Sequence, residues 1–152
     1  MDQVDRKILA LLQENGRISN ADLADRVRLT QSPCLRRVRR MEEEEIILGY
    51  AARVNPEPLG FGFQVFVTVT MRTEDHETIG TFEQQLVELV EVLEAYRLFG
   101  EPDYLLRVAC KDVRSYERFY SERLTAIPGV QSATSHMIMK KVKEFSGFPC
   151  GP

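Results

Sequence analysis

The run Phe63–Met71, FQVFVTVTM, alternates strictly, with Phe63, Val65, Val67, Val69 and Met71 on one side and Gln64, Phe66, Thr68 and Thr70 on the other. Successive side chains of a strand point to opposite faces, so this run predicts a β-strand with one wholly apolar face. Such a face must be covered, and the residues C-terminal to it supply the cover. Ile79, Phe82, Leu86 and Leu89 recur at helical spacing. Val92–Phe99 and Tyr104–Cys110 read as strands around the turn Gly100-Glu101-Pro102-Asp103, and Val113, Tyr116, Tyr120 and Leu124 mark a second helix closed by Pro128-Gly129. A last β-compatible stretch runs from Val130 to about Val142.

The order strand-helix-strand-strand-helix-strand predicts a split βαβ, ferredoxin-like domain over residues 63–145, followed by a tail at 146–152. Its two helices cover only one face of the sheet. The other, with Phe66 among threonines and Gln64, calls for a partner, and a second copy of the same sheet is the simplest one. A homodimer is therefore expected.

Upstream, the periodicity changes from two to about 3.6. Val4, Ile8, Leu11 and Leu12 define an amphipathic helix from Asp2 to Asn15, which Gly16 is expected to end in a left-handed conformation. Ser19, with Asp22 three residues on, caps a second helix carrying Leu23, Ala24 and Val27. Thr30 is the cap candidate for a third, which tolerates Pro33 in its first turn and runs to about Met41. Three short helices so joined form a helix-turn-helix over residues 1–50. The residues 46–54 read as an extended exit, and Asn55-Pro56-Glu57-Pro58 with Gly60 and Gly62 marks a linker at 51–62. The class is α+β.

Charge locates the chemistry. The 152-residue chain carries a net charge of -3, which argues against a generally basic nucleic-acid binder, yet Arg26, Arg28, Arg36, Arg37, Arg39 and Arg40 fall in a stretch without a single acid. On the third helix, Cys34, Leu35, Val38 and Met41 share one side. Ser32, Pro33, Arg36 and Arg40 centre on the other, with Arg37 and Arg39 flanking, and Gln31 and Ser32 keep the helix start small. Guanidinium groups fork onto guanine O6 and N7 or pair with phosphates, so Gln31, Ser32, Pro33, Arg36, Arg37 and Arg40 are the expected DNA contacts in a major groove. A solvated charged face would more often mix its signs.

Other chemistries find little support. The three cysteines, Cys34, Cys110 and Cys150, are scattered and odd in number, which suits reduced thiols and neither a disulfide framework nor a metal site. His76 and His136 have no nucleophile or carboxylate pair placed beside them by any motif, and Glu74-Asp75-His76-Glu77 reads as a solvated loop. No phosphate-binding glycine loop occurs. Catalytic residues, cofactor and metal are thus expected to be absent. No apolar run is long enough for a membrane span and the start MDQVDRKILA is charged, so a cytoplasmic, nucleoid-associated protein is expected.

Several phrases in this order and spacing, namely the opening Asp2–Leu12, NGRISNADLADRV, SPCLRRVRR, ILGY before an Asn-Pro turn, GEPDYLLRV and IPGV with a final strand ending in KVK, make the chain resemble the Lrp/AsnC (leucine-responsive, feast/famine) regulators from Asp2 to about Phe148. The resemblance implies a winged helix-turn-helix, a C-terminal amino-acid-sensing domain and dimers that associate further, often to octamers. It also implies control of amino-acid metabolism genes. Carried over by motif, it implies an effector site, for leucine or another amino acid, at Tyr96, Gly100, Asp103, Tyr104 and Thr134 or Ser135. Asp103 would take the ammonium group and backbone amides near Gly100 the carboxylate. The rival reading is that Gly100–Asp103 is only a tight turn and the protein an effector-independent, DNA-wrapping architectural protein of the same fold. Two features depart from the family pattern. Glu42–Glu45 runs straight into Ile46 where a glycine is common, and Pro102 stiffens the turn.

Overall fold

A computed structural model describes residues 1–73 and 75–151 and divides them into two units. The first holds Met1–Arg53 together with the C-terminal segment from Val142, and the second spans Val54–Lys141.

The first unit is three helices, α1 (Gln3–Glu14), α2 (Asn20–Arg26) and α3 (Gln31–Glu43). Ile8, Leu23, Ala24, Val27, Cys34, Val38 and Met41 form its core. The Asp2 carboxylate accepts from the Asp5 amide at 2.9 Å and the Asp5 carboxylate from the Asp2 amide at 3.0 Å, a reciprocal cap at the start of α1. Ser19 caps α2 as expected, accepting from the Asp22 amide at 3.0 Å. Two local expectations fail. α1 ends on extended Asn15 (φ −143°), and Gly16 is not among the residues of positive φ. Thr30 occupies the cap position of α3 without a side-chain bond to it; Asn20 Nδ2 donates to the Gln31 carbonyl at 3.1 Å, which ties α2 to the start of α3 without capping it. The expected extended exit at 46–54 contains no strand. The C-terminal segment is fastened to α1 by Gln13, whose amide accepts from the Phe148 N–H at 2.6 Å and donates to its carbonyl at 3.0 Å.

The second unit is one antiparallel sheet in the order β2-β3-β1-β4, built from β1 (Phe63–Met71), β2 (Val92–Arg97), β3 (Tyr104–Cys110) and β4 (Val130–Met137). β4 ends at Met137 rather than continuing to Val142. Helices α4 (His76–Val87) and α5 (Val113–Phe119), the latter prolonged by a π turn at Tyr120–Leu124, connect the strands. The apolar side of β1 is buried with Phe82, Leu86, Tyr104, Leu106, Phe119 and Leu124. The opposite side, where Phe66 pairs in register with Arg107 and His136 and Thr68 with Leu105 and Thr134, has no covering element among the described residues.

One turn is held at a distance only glycine permits. Gly129 has φ +91°, and a Cβ there would lie 2.2 Å from Thr78 Cγ2 and 3.0 Å from Met71 Cε. Left-handed strain costs about 1–2 kcal/mol and overpacking about 1–3 kcal/mol, so Gly129→Ala is expected to destabilise the protein by about 2–5 kcal/mol in denaturant unfolding. A loss below about 1 kcal/mol would show that the α4 contact yields freely.

Candidate functional site

Cys34, Val38 and Met41 bury the back of α3, whereas Leu35, expected among them, is only half-buried. The axis of burial is rotated accordingly, and the residues opposite it are Ser32, Arg36 and Arg39, which stack at i, i+4 and i+7. All three are exposed, as is Gln31, while Pro33 is half-buried. No ion pair involves Arg36 or Arg39 among the described residues.

Arg37 and Arg40, expected to face DNA, are held by acids from the start of the chain. Arg37 Nη1 donates to Asp2 Oδ2 at 2.7 Å and to Asp5 Oδ1 at 2.8 Å, and Arg40 Nη2 donates to Asp5 Oδ2 at 2.7 Å. Asp5, 1% exposed, is the only charged group in the buried core of the described residues. Burial alone would push its carboxyl up; the Asp2 amide and the Arg37 and Arg40 guanidiniums outweigh that and hold it at about 2. The network joins α1 to α3 and leaves Arg36 and Arg39 as the helix arginines outside it. Arg39, which sequence reasoning set only at the flank of the arginine face, is exposed in one row with Ser32 and Arg36, and Leu35, counted there as core, is half-buried.

The acids after α3 are partly engaged. Glu42 accepts from the Tyr50 hydroxyl at 2.9 Å, and burial with this carboxylate pushes Tyr50 up to about 12. Glu44 lies 3.9 Å from Arg40 Nε. A concavity of about 670 Å³ flanks α3, lined by Arg36, Arg37, Arg39 and Arg40 with Ser32, Leu35, Asp2 and Glu43.

The six residues expected around an amino-acid effector are divided by the sheet. Tyr96 and Thr134 lie on the uncovered face, since they share register rows with Leu105 and Thr68. Tyr96 is half exposed and donates to Glu94 at 2.8 Å. That hydroxyl and the Arg107 guanidinium lower the Glu94 carboxyl against the effect of burial. Tyr104 and Ser135 point to the helix side. Tyr104 is 2% exposed and donates to Glu83 Oε1 at 2.8 Å, and Ser135 Oγ pairs with the Tyr116 hydroxyl. Gly100, at φ +87°, and Asp103 sit in the turn between β2 and β3, where Asp103 Oδ2 accepts from the Met71 amide at 2.6 Å. The Glu101-Pro102 bond in that turn is cis. Thr134 and Ser135 therefore cannot serve one site on the same face. His76 and Glu77, expected in a loop, open α4, which Asp75 caps by accepting from the Thr78 amide at 2.9 Å; Glu74 lies outside the described residues, and among the described ones no three His, Cys, Asp or Glu are placed to hold a metal. No described helix is long and apolar enough to cross a membrane.

Comparison with known proteins agrees with this division of labour. A winged helix-turn-helix DNA-binding model matches residues 1–47, and the Lrp/AsnC ligand binding domain matches residues 64–148. The chain is 41% identical over 142 residues to the Bkd operon transcriptional regulator of Pseudomonas aeruginosa, covering 93% of each. It is 38% identical over 144 residues to the leucine-responsive regulatory protein of Escherichia coli K12, covering 95% of this chain and 88% of that one. Its fold superposes with a TM-score of 0.90, at 38% identity over 95% of this chain and 93% of the other, on a Neisseria meningitidis transcriptional regulator crystallised with L-Met. The chain belongs to the Lrp/AsnC family, a DNA-binding transcription regulator that joins a winged helix-turn-helix to a ligand-binding domain, and not an enzyme.

Proposed function

We propose that this regulator controls amino-acid metabolism genes from a homodimer, or a larger assembly such as an octamer, and that a free amino acid bound near the turn Gly100–Tyr104 adjusts its grip on DNA. The observation that carries the DNA half is the exposed row Ser32, Arg36 and Arg39, whose cations form no ion pair among the described residues and lie opposite a buried back. Gln31, Ser32 and Arg36 read base edges, Arg39 contacts a base or phosphate, and Pro33 shapes the helix start. Two copies related by a two-fold axis favour a palindromic site with half-sites roughly 34 Å apart, one helical turn, or a multiple of it. The protein acts in the cytoplasm, at the nucleoid.

The amino-acid half is supported by the family's ligand-binding domain and by the L-Met complex of the Neisseria relative. Tyr96 and Thr134, on the uncovered face, meet a ligand only where a second copy closes over them; Gly100 and Asp103 approach it from the sheet end. One observation favours the rival, effector-independent reading: the Asp103 carboxylate already accepts the Met71 amide. Titrating L-leucine and L-methionine into the protein bound to its own promoter DNA decides between the two. A change in DNA affinity or in oligomer size is the expected result, and neither change with either amino acid overturns the effector reading.

A further inference from the structure

The end of the chain is seated on the helix-turn-helix unit. Arg6, Leu9 and Gln13 recur at i, i+3 and i+7 along one side of α1, and the C-terminal segment lies against that side. Gln13 grips one residue twice: its Oε1 accepts from the Phe148 N–H at 2.6 Å, while its Nε2 donates to the Phe148 carbonyl and to Cys150 Sγ, each at 3.0 Å. Arg6 Nη1 donates to the Gly151 carbonyl at 3.3 Å, and Arg53 pairs with Glu144. Gly147 permits the approach. It has φ +111°, and a Cβ there would lie 2.6 Å from Gln13 Oε1 and 2.8 Å from Gln13 Cδ.

This seat is rich in polar bonds and poor in burial. Phe145 and Phe148 meet edge to face with ring centroids 5.1 Å apart, yet they stay 71% and 75% exposed. Beside them is an apolar cavity of about 490 Å³, lined also by Leu9, Leu12, Ile47 and Tyr50. A neutral hydrogen bond open to water contributes little net, and a segment that buries so little apolar surface belongs to the least stable parts of a fold. The tail can therefore leave its seat and regain it.

The docked tail is compatible with DNA. No residue lining its cavity also lines the concavity along α3 that carries Ser32, Arg36 and Arg39. The chain passes from the first unit to the second at Val54 and returns at Val142. A docked tail thus tethers the helix-turn-helix by two lengths of chain and an undocked tail by one. A unit already restrained loses less freedom when it settles on DNA.

We propose that the groove on α1 is a docking site for the chain's own segment Glu144–Gly151, occupied reversibly, and that the docked form binds DNA more tightly than the undocked one. Coupling of this kind is reciprocal, so DNA must in turn hold the tail down by the same factor.

Cys150 reports on the seat through its contact with Gln13, while Cys34 and Cys110, buried in the two cores, serve as controls. The test is the rate at which iodoacetamide alkylates each thiol in the full-length protein, with and without a duplex carrying its own promoter. Gln13→Ala removes the clamp, whereas Gly147→Ala keeps every bonding group and pushes the Gln13 amide away. Both variants should speed Cys150 about tenfold, as the loss of two neutral hydrogen bonds implies, and leave Cys34 and Cys110 slow. DNA should slow Cys150 in the unaltered chain, and a chain ending at Lys143 should bind the duplex more weakly by the same factor, roughly fivefold or more. If Cys34 turns reactive in the shortened chain, its core is lost, and the weaker binding is then required of the two full-length variants. Equal Cys150 rates in all three full-length chains would mean that the tail is not docked, and the proposal falls. It falls as well if the variants speed Cys150 while DNA leaves that rate alone and every altered chain binds the duplex as tightly as the unaltered one.

Discussion

Replacing Asp5 with alanine is expected to cost the helix-turn-helix unit about 3 kcal/mol, because removal of one member of a buried ion network strands the others. Asp5 does three things at once. It closes the reciprocal cap of α1 through the Asp2 amide, and it receives both Arg37 and Arg40 across the α1–α3 packing. Arg37 and Arg40 are 30% and 44% exposed and can turn to water once released, which keeps the cost at the lower end of the range for buried pairs. The same carboxylate predicts acid sensitivity. Its pKa is lowered from 3.8 to about 2, so its contribution is complete above about pH 4 and is lost as pH falls toward 2. Thermal melts of the Asp5→Ala protein at pH 7 and of the unaltered protein from about pH 5 to about pH 2 check both statements. A melting point at pH 7 within a degree or two of the unaltered protein would refute the structural role.

That network also marks where sequence reading stops. The alternation in Phe63–Met71 and the β-compatible run Tyr104–Cys110 beside its turn are local, and both strands occupy the residues predicted for them. The helical spacing of Ile79, Phe82 and Leu86 is local as well, and all three are buried on α4. Asp5 meets Arg37 and Arg40 across more than thirty residues, a pairing set by how α1 packs on α3 and invisible to any periodicity. Thr134 and Ser135 are neighbours in sequence, yet strand geometry sends them to opposite faces, and only the register of β4 on β1 says which is which. The Gln13 clamp on Phe148 escapes prediction for the same reason, being one side chain that mimics a strand by offering a donor and an acceptor to a distant peptide. The Asp5–Arg37–Arg40 network is decided by contacts of long sequence separation, while the hydrophobic pattern is decided locally.

The four arginines of α3 should consequently separate into two pairs on mutation. Arg36→Ala and Arg39→Ala remove exposed cations that lie outside the α1–α3 network and leave it whole, so the melting point should stay put while specific DNA binding falls. A lost base contact is worth about 1–3 kcal/mol, and a two-fold dimer loses it in both half-sites, giving about 2–6 kcal/mol or roughly 30-fold to 10⁴-fold in affinity. If Arg39 contacts a phosphate rather than a base, its loss should weaken binding to all sequences alike and lower the salt slope by about 1 per contact. Arg40→Ala should behave in the opposite way. It uncouples a guanidinium from buried Asp5, so the helix-turn-helix loses stability first, and DNA affinity follows only as far as the position of α3 is disturbed. Melting curves and salt-dependent binding isotherms on one promoter fragment separate the classes. Equal losses of affinity at unaltered stability for Arg36, Arg39 and Arg40 would mean that Arg40 leaves Asp5 on binding and that the acid merely holds it until DNA arrives.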